Sequence, residues 1–208
     1  MTSPFKFLDA YDPQDKDIFF GRTEEVDALY TLIFQTDLLL VYGQSGTGKT
    51  SLIQCGLASR FKATDRFELL VRRKDDLDAA LDREIARHAL TPIDEGTALA
   101  DAVQSLYLDH LRPVHLIFDQ FEELFVLGSP GEQRIFIDAI AALLKKEVAC
   151  KVIIVMREEF IAMLYEFEKT VPKLFKKRFR VEPMNPQNVT RVITGTTAAF
   201  AIELEHGE

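Results

Sequence analysis

The segment Gly43-Gln44-Ser45-Gly46-Thr47-Gly48-Lys49-Thr50 constrains this chain more than any other. It matches the phosphate-binding loop pattern G-x-x-x-x-G-K-[ST] at every fixed position. The context agrees: Leu38 to Tyr42 is an apolar run that reads as a buried strand, and residues 51–57 leave as a helix. Glycines let the backbone approach a phosphate chain without Cβ clashes, so several N–H groups can converge on it. The helix that follows points its positive dipole end at the same place. Lys49 adds a mobile charge for β- and γ-phosphates, and the Thr50 hydroxyl is suited to ligate Mg²⁺. The candidate cradle is therefore Gly43, Ser45, Gly46, Thr47, Gly48, Lys49, Thr50 and Ser51. Its expected ligand is a nucleoside triphosphate with magnesium.

With 208 residues, 47% of them hydrophobic, the chain can bury a full core as one domain of ordinary size. A net charge of −8 argues against a nucleic-acid binder as a whole. Cys55 and Cys150 lack metal-ligand spacing and read as reduced core thiols. There is no stretch of 18 apolar residues and no secretory leader pattern, so neither a membrane nor export is expected. The expected compartment is the cytoplasm.

Hydrophobic periodicity orders the rest. Residues 1–20 read as an extended or irregular lead-in, and a helix starts at Thr23 with Val26, Leu29, Leu32 and Ile33 at helical spacing. Strands are expected at 38–42, 67–72, 114–119, 152–156 and 179–182. Helices are expected at 49–60, 77–90, 98–111, 133–146, from 160 onward, and at 189–201. Ile135, Phe136, Ala139, Ile140 and Leu143 are assigned to the inner face of the 133–146 helix, after a turn at 128–131. The basic run 173–180 reads as a solvated helix face. Strands apolar on both faces, alternating with helices, imply a mostly parallel sheet covered on two sides. The fold class is α/β, three-layered, of the P-loop NTPase type.

Magnesium also needs a carboxylate at the end of another buried strand. Asp119 closes the apolar run His115-Leu116-Ile117-Phe118 and continues into Gln120-Phe121-Glu122-Glu123-Leu124-Phe125. A carboxylate there is costly without a cation or hydrogen bonds, and Thr50 with hydrated Mg²⁺ would supply both. The metal candidates are thus Thr50 and Asp119. Hydrolysis also needs a group that positions water. Gln120 is no base, which leaves Glu122 and Glu123, with Glu122 slightly favoured as the nearer. Arg157 follows the strand at 152–156 and either reads a γ-phosphate or pairs with Glu158 or Glu159.

Several motifs together resemble one family. Phe19-Phe20-Gly21-Arg22-Thr23-Glu24 is similar to the G-R-x-x-E motif of STAND ATPases. Asp119 to Phe125 resembles the Walker B segment of the novel STAND NTPases, and Met156 to Phe160 their sensor 1 segment. Phe179 to Met184 resembles the region whose proline packs near the base. The resemblance runs over about residues 4–202 and adds the AAA+, NACHT and NB-ARC type of core to the expected fold. It implies a signal-transduction switch in which ADP holds a closed state and ATP permits self-association. A role in prokaryotic defence or regulation comes with it. It implies Phe20, Gly21 and Arg22 near base and phosphates, Arg157 at the γ-phosphate, and Pro183 beside adenine.

The expected organisation is a lead-in at 1–22, an NTPase domain at 23–185, and the start of a truncated helical lid at 186–208, with further domains of a longer chain as partners. The expected activity is slow, Mg²⁺-dependent ATP hydrolysis by Lys49, Asp119, Glu122 or Glu123, and Arg157. Two alternatives remain at this level. One is a nucleotide-binding interaction module without turnover, suggested by Gln120. The other is a small-molecule kinase, for which Arg178 and Arg180 are the only lid-type arginines.

Overall fold

A computed structural model describes residues 5–6 and 9–202. Residues 1–4, 7–8 and 203–208, including parts of the expected lead-in and lid, lie outside the described residues. Five strands form one sheet: β1 (Leu38–Gly43), β2 (Phe67–Val71), β3 (Val114–Phe118), β4 (Cys150–Arg157) and β5 (Arg178–Arg180). Their order is β2-β3-β4-β1-β5, and every neighbouring pair is parallel. Parallel strands need crossovers, and helices supply them. The crossover helices are α2 (Lys49–Ser51), α3 (Leu77–His88), α4 (Leu99–His110), α5 (Glu123–Val126), α6 (Pro130–Lys145) and α7 (Tyr165–Thr170), while α1 (Thr23–Ile33) precedes β1 and α8 (Pro186–Ala199) follows β5. α2 continues as a π-helical segment over Leu52–Leu57.

Strand side chains alternate between faces, and the two cores follow that alternation. Leu38, Leu40, Leu116, Phe118, Val152, Ile154 and Met156 pack with α3, α4 and α6 on one side. Leu39, Val41, Ile117, Ile153 and Val155 pack with α1 and the phosphate-loop helix on the other. The expected three layers are therefore present. Both cysteines are buried thiols, and burial pushes Cys55 up to about 11 and Cys150 up to about 12. Among the described residues no helix is long and apolar enough to cross a membrane.

Four local expectations are corrected. The lead-in is not wholly irregular: Pro13–Ile18 forms a 3-10 helix, because Asp12 caps it by accepting from Gln14 N at 2.8 Å and Pro13 starts it. The 133–146 helix begins earlier, at Pro130, where Ser129 Oγ accepts from Glu132 N at 3.1 Å. Its inner face also differs: Ile135 is 61% exposed and Ile137 is buried in the core. The segment at 158–164 is 3-10 rather than α-helical before α7 begins. The basic run 173–180 is not a helix face: it turns and then pairs with β1, Phe179 opposite Val41, with Arg178 and Arg180 exposed. Leu174 is fully buried beneath that turn, which anchors the run to the core.

Candidate functional site

Sheet order brings three strand ends together. β4 lies between β1 and β3, so Gly43 is in register with Arg157, and Phe118 with Ile154. The loop after β1, the turn after β3 and the end of β4 therefore share one crevice at the carboxyl edge of the sheet. Ligands of open parallel sheets bind at such crevices.

Gly46 and Gly48 have φ of 78° and 81°, and no atom lies within 4 Å of where a Cβ would stand. Glycine is required there by backbone conformation, and it leaves the loop's face open. Thr47 is buried, and its Oγ1 donates to the Gln44 carbonyl at 2.9 Å. Ser45 is exposed at the loop tip, while Ser51 Oγ accepts from Tyr11 N at 3.1 Å and ties the lead-in to α2. Lys49 Nζ donates to the carbonyls of Gly43 and Gln44 at 2.9 and 2.7 Å. Burial lowers its pKa, opposed by the Glu122, Glu159 and Asp119 carboxylates.

Thr50 Oγ1 donates to Asp119 at 3.0 Å (Oδ1) and 3.2 Å (Oδ2). Asp119 is 4% exposed, so its charge needs compensation. Arg72 provides it, with Nε at 3.0 Å and Nη2 at 2.7 Å from Oδ2. Sequence reading missed Arg72. It follows β2, and β2 lies beside β3, with Asp119 N donating to Val71 O at 3.0 Å. No periodicity in one sequence reveals which strands are neighbours.

The magnesium site can be tested on its donors. A hydroxyl and a carboxylate, both hard oxygens, stand in contact where the loop opens, and a cation already compensates the carboxylate. Among the described residues no group of three or more His, Cys, Asp or Glu could hold a metal. That set fits Mg²⁺, which binds through one or two protein oxygens plus substrate phosphates rather than in a protein cage.

Glu122 is buried, and its Oε2 accepts from Arg157 N at 3.1 Å. Arg157 Nε lies 3.2 Å from Glu122 Oε1 as an ion pair without hydrogen-bond geometry. The partner of Arg157 is thus Glu122 rather than Glu158 or Glu159. Glu158 pairs instead with Arg180 Nε at 2.8 Å. Glu123 opens α5, half-buried, and its charge acts on Arg73. Gln120 sits at φ 56°, a left-handed turn that costs a side-chain-bearing residue energy and reverses the chain after Asp119.

Arg22 is 4% exposed and reaches three groups: Glu25 Oε1 at 2.6 Å, Glu182 O at 3.0 Å and Thr47 O at 2.8 Å. It therefore clamps the phosphate loop to the segment after β5, where Pro183 is exposed. Gly21 has φ 77°, and a Cβ there would lie 2.7 Å from the Asn188 carbonyl of α8. Phe20 meets the same helix, since a Cβ on Gly195 would stand 2.7 Å from its ring.

With that geometry in hand, similarity to known proteins decides the family. The sequence model of Novel STAND NTPase 1 matches residues 4–208. The chain belongs to the novel STAND NTPase 1 family. A search of the curated proteins returned no match. Among solved structures, this NTPase is similar to a Walker-type ATPase of Pyrococcus abyssi, at 15% identity and TM-score 0.68, covering 98% of this chain and 64% of that one. It is also similar to the Aeropyrum pernix ORC2 protein in ADPNP–ADP complexes, at 16% identity and TM-score 0.68, covering 92% and 54%. AMPPCP-bound DnaA from Aquifex aeolicus matches at 16% identity and TM-score 0.59, covering 96% and 59%. At such identities the likeness concerns the fold, a P-loop ATPase core. This NTPase core spans between about half and two thirds of these three chains.

Proposed function

We propose that this chain is the ATP-binding, slowly hydrolysing core of a STAND-type signal-transduction switch. The observation that carries this reading is the contact between Thr50 Oγ1 and the buried Asp119 carboxylate, 3.0 Å apart at the open face of the phosphate loop. In this reading the N–H groups of Gly43 to Ser51 cradle the phosphates. Lys49 leaves the Gly43 and Gln44 carbonyls for the β- and γ-phosphates. Thr50 and Asp119 would hold Mg²⁺, which supplies neutralisation of phosphate charge when bound. Glu122 orients the attacking water, and Arg157 stabilises charge on the γ-phosphate. Phe20, Gly21, Arg22 and Pro183 border the base, with adenine favoured by family membership.

Slow turnover follows from Glu122. Its carboxylate accepts from the Arg157 backbone N–H and faces the Arg157 guanidinium, so both oxygens are engaged and must give up these contacts to orient a water. The same contact favours a second reading, a nucleotide-binding interaction module without turnover. A switch needs nucleotide-dependent contacts rather than speed. Moving a population from 1:99 to 99:1 takes roughly 5.5 kcal/mol. A few charge-assisted bonds of about 1.5–3 kcal/mol each supply that much. Lys49 and Arg157 are such donors, and α8 against Phe20 and Gly21 is the element they would bias. Regulated self-association, a cytoplasmic setting and a defence or regulatory role belong to the same proposal.

Phosphate release and sedimentation, each with ATP and with ADP, test it. Slow release lost in Lys49→Ala, with assembly or compaction that differs between the nucleotides, is expected. Release equal to that of Lys49→Ala leaves the module reading. No difference between nucleotides in shape or assembly sinks the switch.

A further inference from the structure

A cleft of about 220 Å³ opens behind Asp119, between the end of β2, α3 and the phosphate-loop helix. It is lined by Gln54, Leu70, Arg72, Lys74, Ala80, Arg83 and Glu84. Three of these are cations and one is an anion, in a chain whose net charge is −8. The anion, Glu84, already faces Arg87 at 3.9 Å and His88 at 3.8 Å. Among the described residues, the Lys74 ammonium and the Arg83 guanidinium have no ion-pair partner. Lys74 is held at φ 53°, left-handed backbone that a lysine rarely adopts.

The deciding feature is Gln54. Its Nε2 is buried and has no hydrogen-bond partner. A buried donor left unpaired costs about 1–3 kcal/mol, so a native structure that keeps one calls for an acceptor. A water would satisfy the amide but would leave the exposed Lys74 and Arg83 cations without a counter-charge, since Arg72 is already paired with Asp119. An acceptor that carries negative charge meets both needs at once.

We propose that this cleft is a binding site for a small oxyanion, a phosphate or carboxylate group, separate from the phosphate loop. Gln54 Nε2 donates to one anion oxygen, and Lys74 and Arg83 supply the charge. Arg72 is shared, because it lines the cleft while donating to Asp119 Oδ2. An anion in the cleft therefore competes with Asp119 for Arg72 and frees the carboxylate that the magnesium reading requires. The site itself stands without that reading, since Gln54, Lys74 and Arg83 take no part in it.

The experiment follows the Gln54 side-chain amide by NMR in ¹⁵N-labelled protein carrying Lys49→Ala, which weakens phosphate binding at the loop. Gln54→Met assigns the resonance, and the dispersion of each spectrum reports folding. Inorganic phosphate is titrated in one arm and succinate in another, to distinguish phosphate from carboxylate. Saturable movement of the Gln54 signal, at least tenfold weaker with Lys74→Ala and Arg83→Ala added, is the expected result. A signal that does not move, or one that moves along the same curve in the Lys74→Ala/Arg83→Ala protein, overturns the site. Coupling to Asp119 is read separately, as a lower Mg²⁺ requirement for ADP binding when phosphate is present. If wild-type protein binds no ADP, the proposed function fails and the Gln54 titration still decides the cleft.

Discussion

Arg22→Ala tests how the phosphate loop is held. The guanidinium is 4% exposed and donates to two backbone carbonyls, Thr47 at 2.8 Å and Glu182 at 3.0 Å. A hydrogen bond from a charged donor contributes about 1.5–3 kcal/mol, and removing the donor leaves the buried Thr47 carbonyl unpaired. The third contact, to Glu25, adds little because Glu25 remains partly solvated. Two bonds give roughly 3–6 kcal/mol, and water entering the vacated space brings the loss to about 3–4 kcal/mol. A domain of this size loses about 2–4 °C per kcal/mol, so the melting temperature falls by ~6–16 °C. Urea unfolding followed by circular dichroism measures the loss directly. Arg22→Lys keeps the charge but not the planar fork and restores less than half of it. A loss below about 1 kcal/mol in Arg22→Ala would refute the clamp, because two charge-assisted bonds, one of them buried, cannot be that cheap.

Three further outcomes follow from the structure. Gly48→Ala forces a Cβ onto φ 81° and is expected to cost about 1–2 kcal/mol in urea while weakening nucleotide binding in calorimetry; unchanged stability contradicts the left-handed turn. Gly195→Leu drives a side chain into the Phe20 ring, which a Cβ alone would approach to 2.7 Å, and is expected to cost about 1–3 kcal/mol and raise hydrogen exchange over α8 selectively. Asp78 is pushed up to about 6, first by burial and then by Asp76, Glu132 and Asp82. The folded state then binds more protons than the unfolded one between about pH 4 and 6, so this group's contribution falls as pH rises through that window. Asp78→Asn is expected to flatten that decline in a pH series of melting temperatures, and an unchanged profile counts against the shift.

Much of the fold was readable because the strong signals were local. The phosphate loop and the apolar runs at Leu38, Val114 and Val152 each carry their own pattern, and Asp119 announces itself as a carboxylate closing a buried strand. The misses share a different origin. Arg72 reaches Asp119 only because β2 pairs with β3, and one sequence holds no record of that pairing. Arg22 is named by the resemblance, but its tie to the Glu182 carbonyl, 160 positions later, shows only in the fold. Ile135 and Ile137 lie on either side of Phe136, and only packing against the rest of the fold decides which of them turns inward. The run from Lys173 to Arg180 looks helical by charge, yet Phe179 between two arginines has the period of a strand, and β1 offers the edge it needs.

The most direct measurement is calorimetric titration of ATP and ADP with magnesium into the wild type, Lys49→Ala and Asp119→Asn. Expected are binding of both nucleotides by the wild type with unequal affinity, loss in Lys49→Ala, and a weaker dependence on magnesium in Asp119→Asn. Equal binding by wild type and Lys49→Ala, or no binding by the wild type, contradicts the proposal that this crevice is a nucleotide switch.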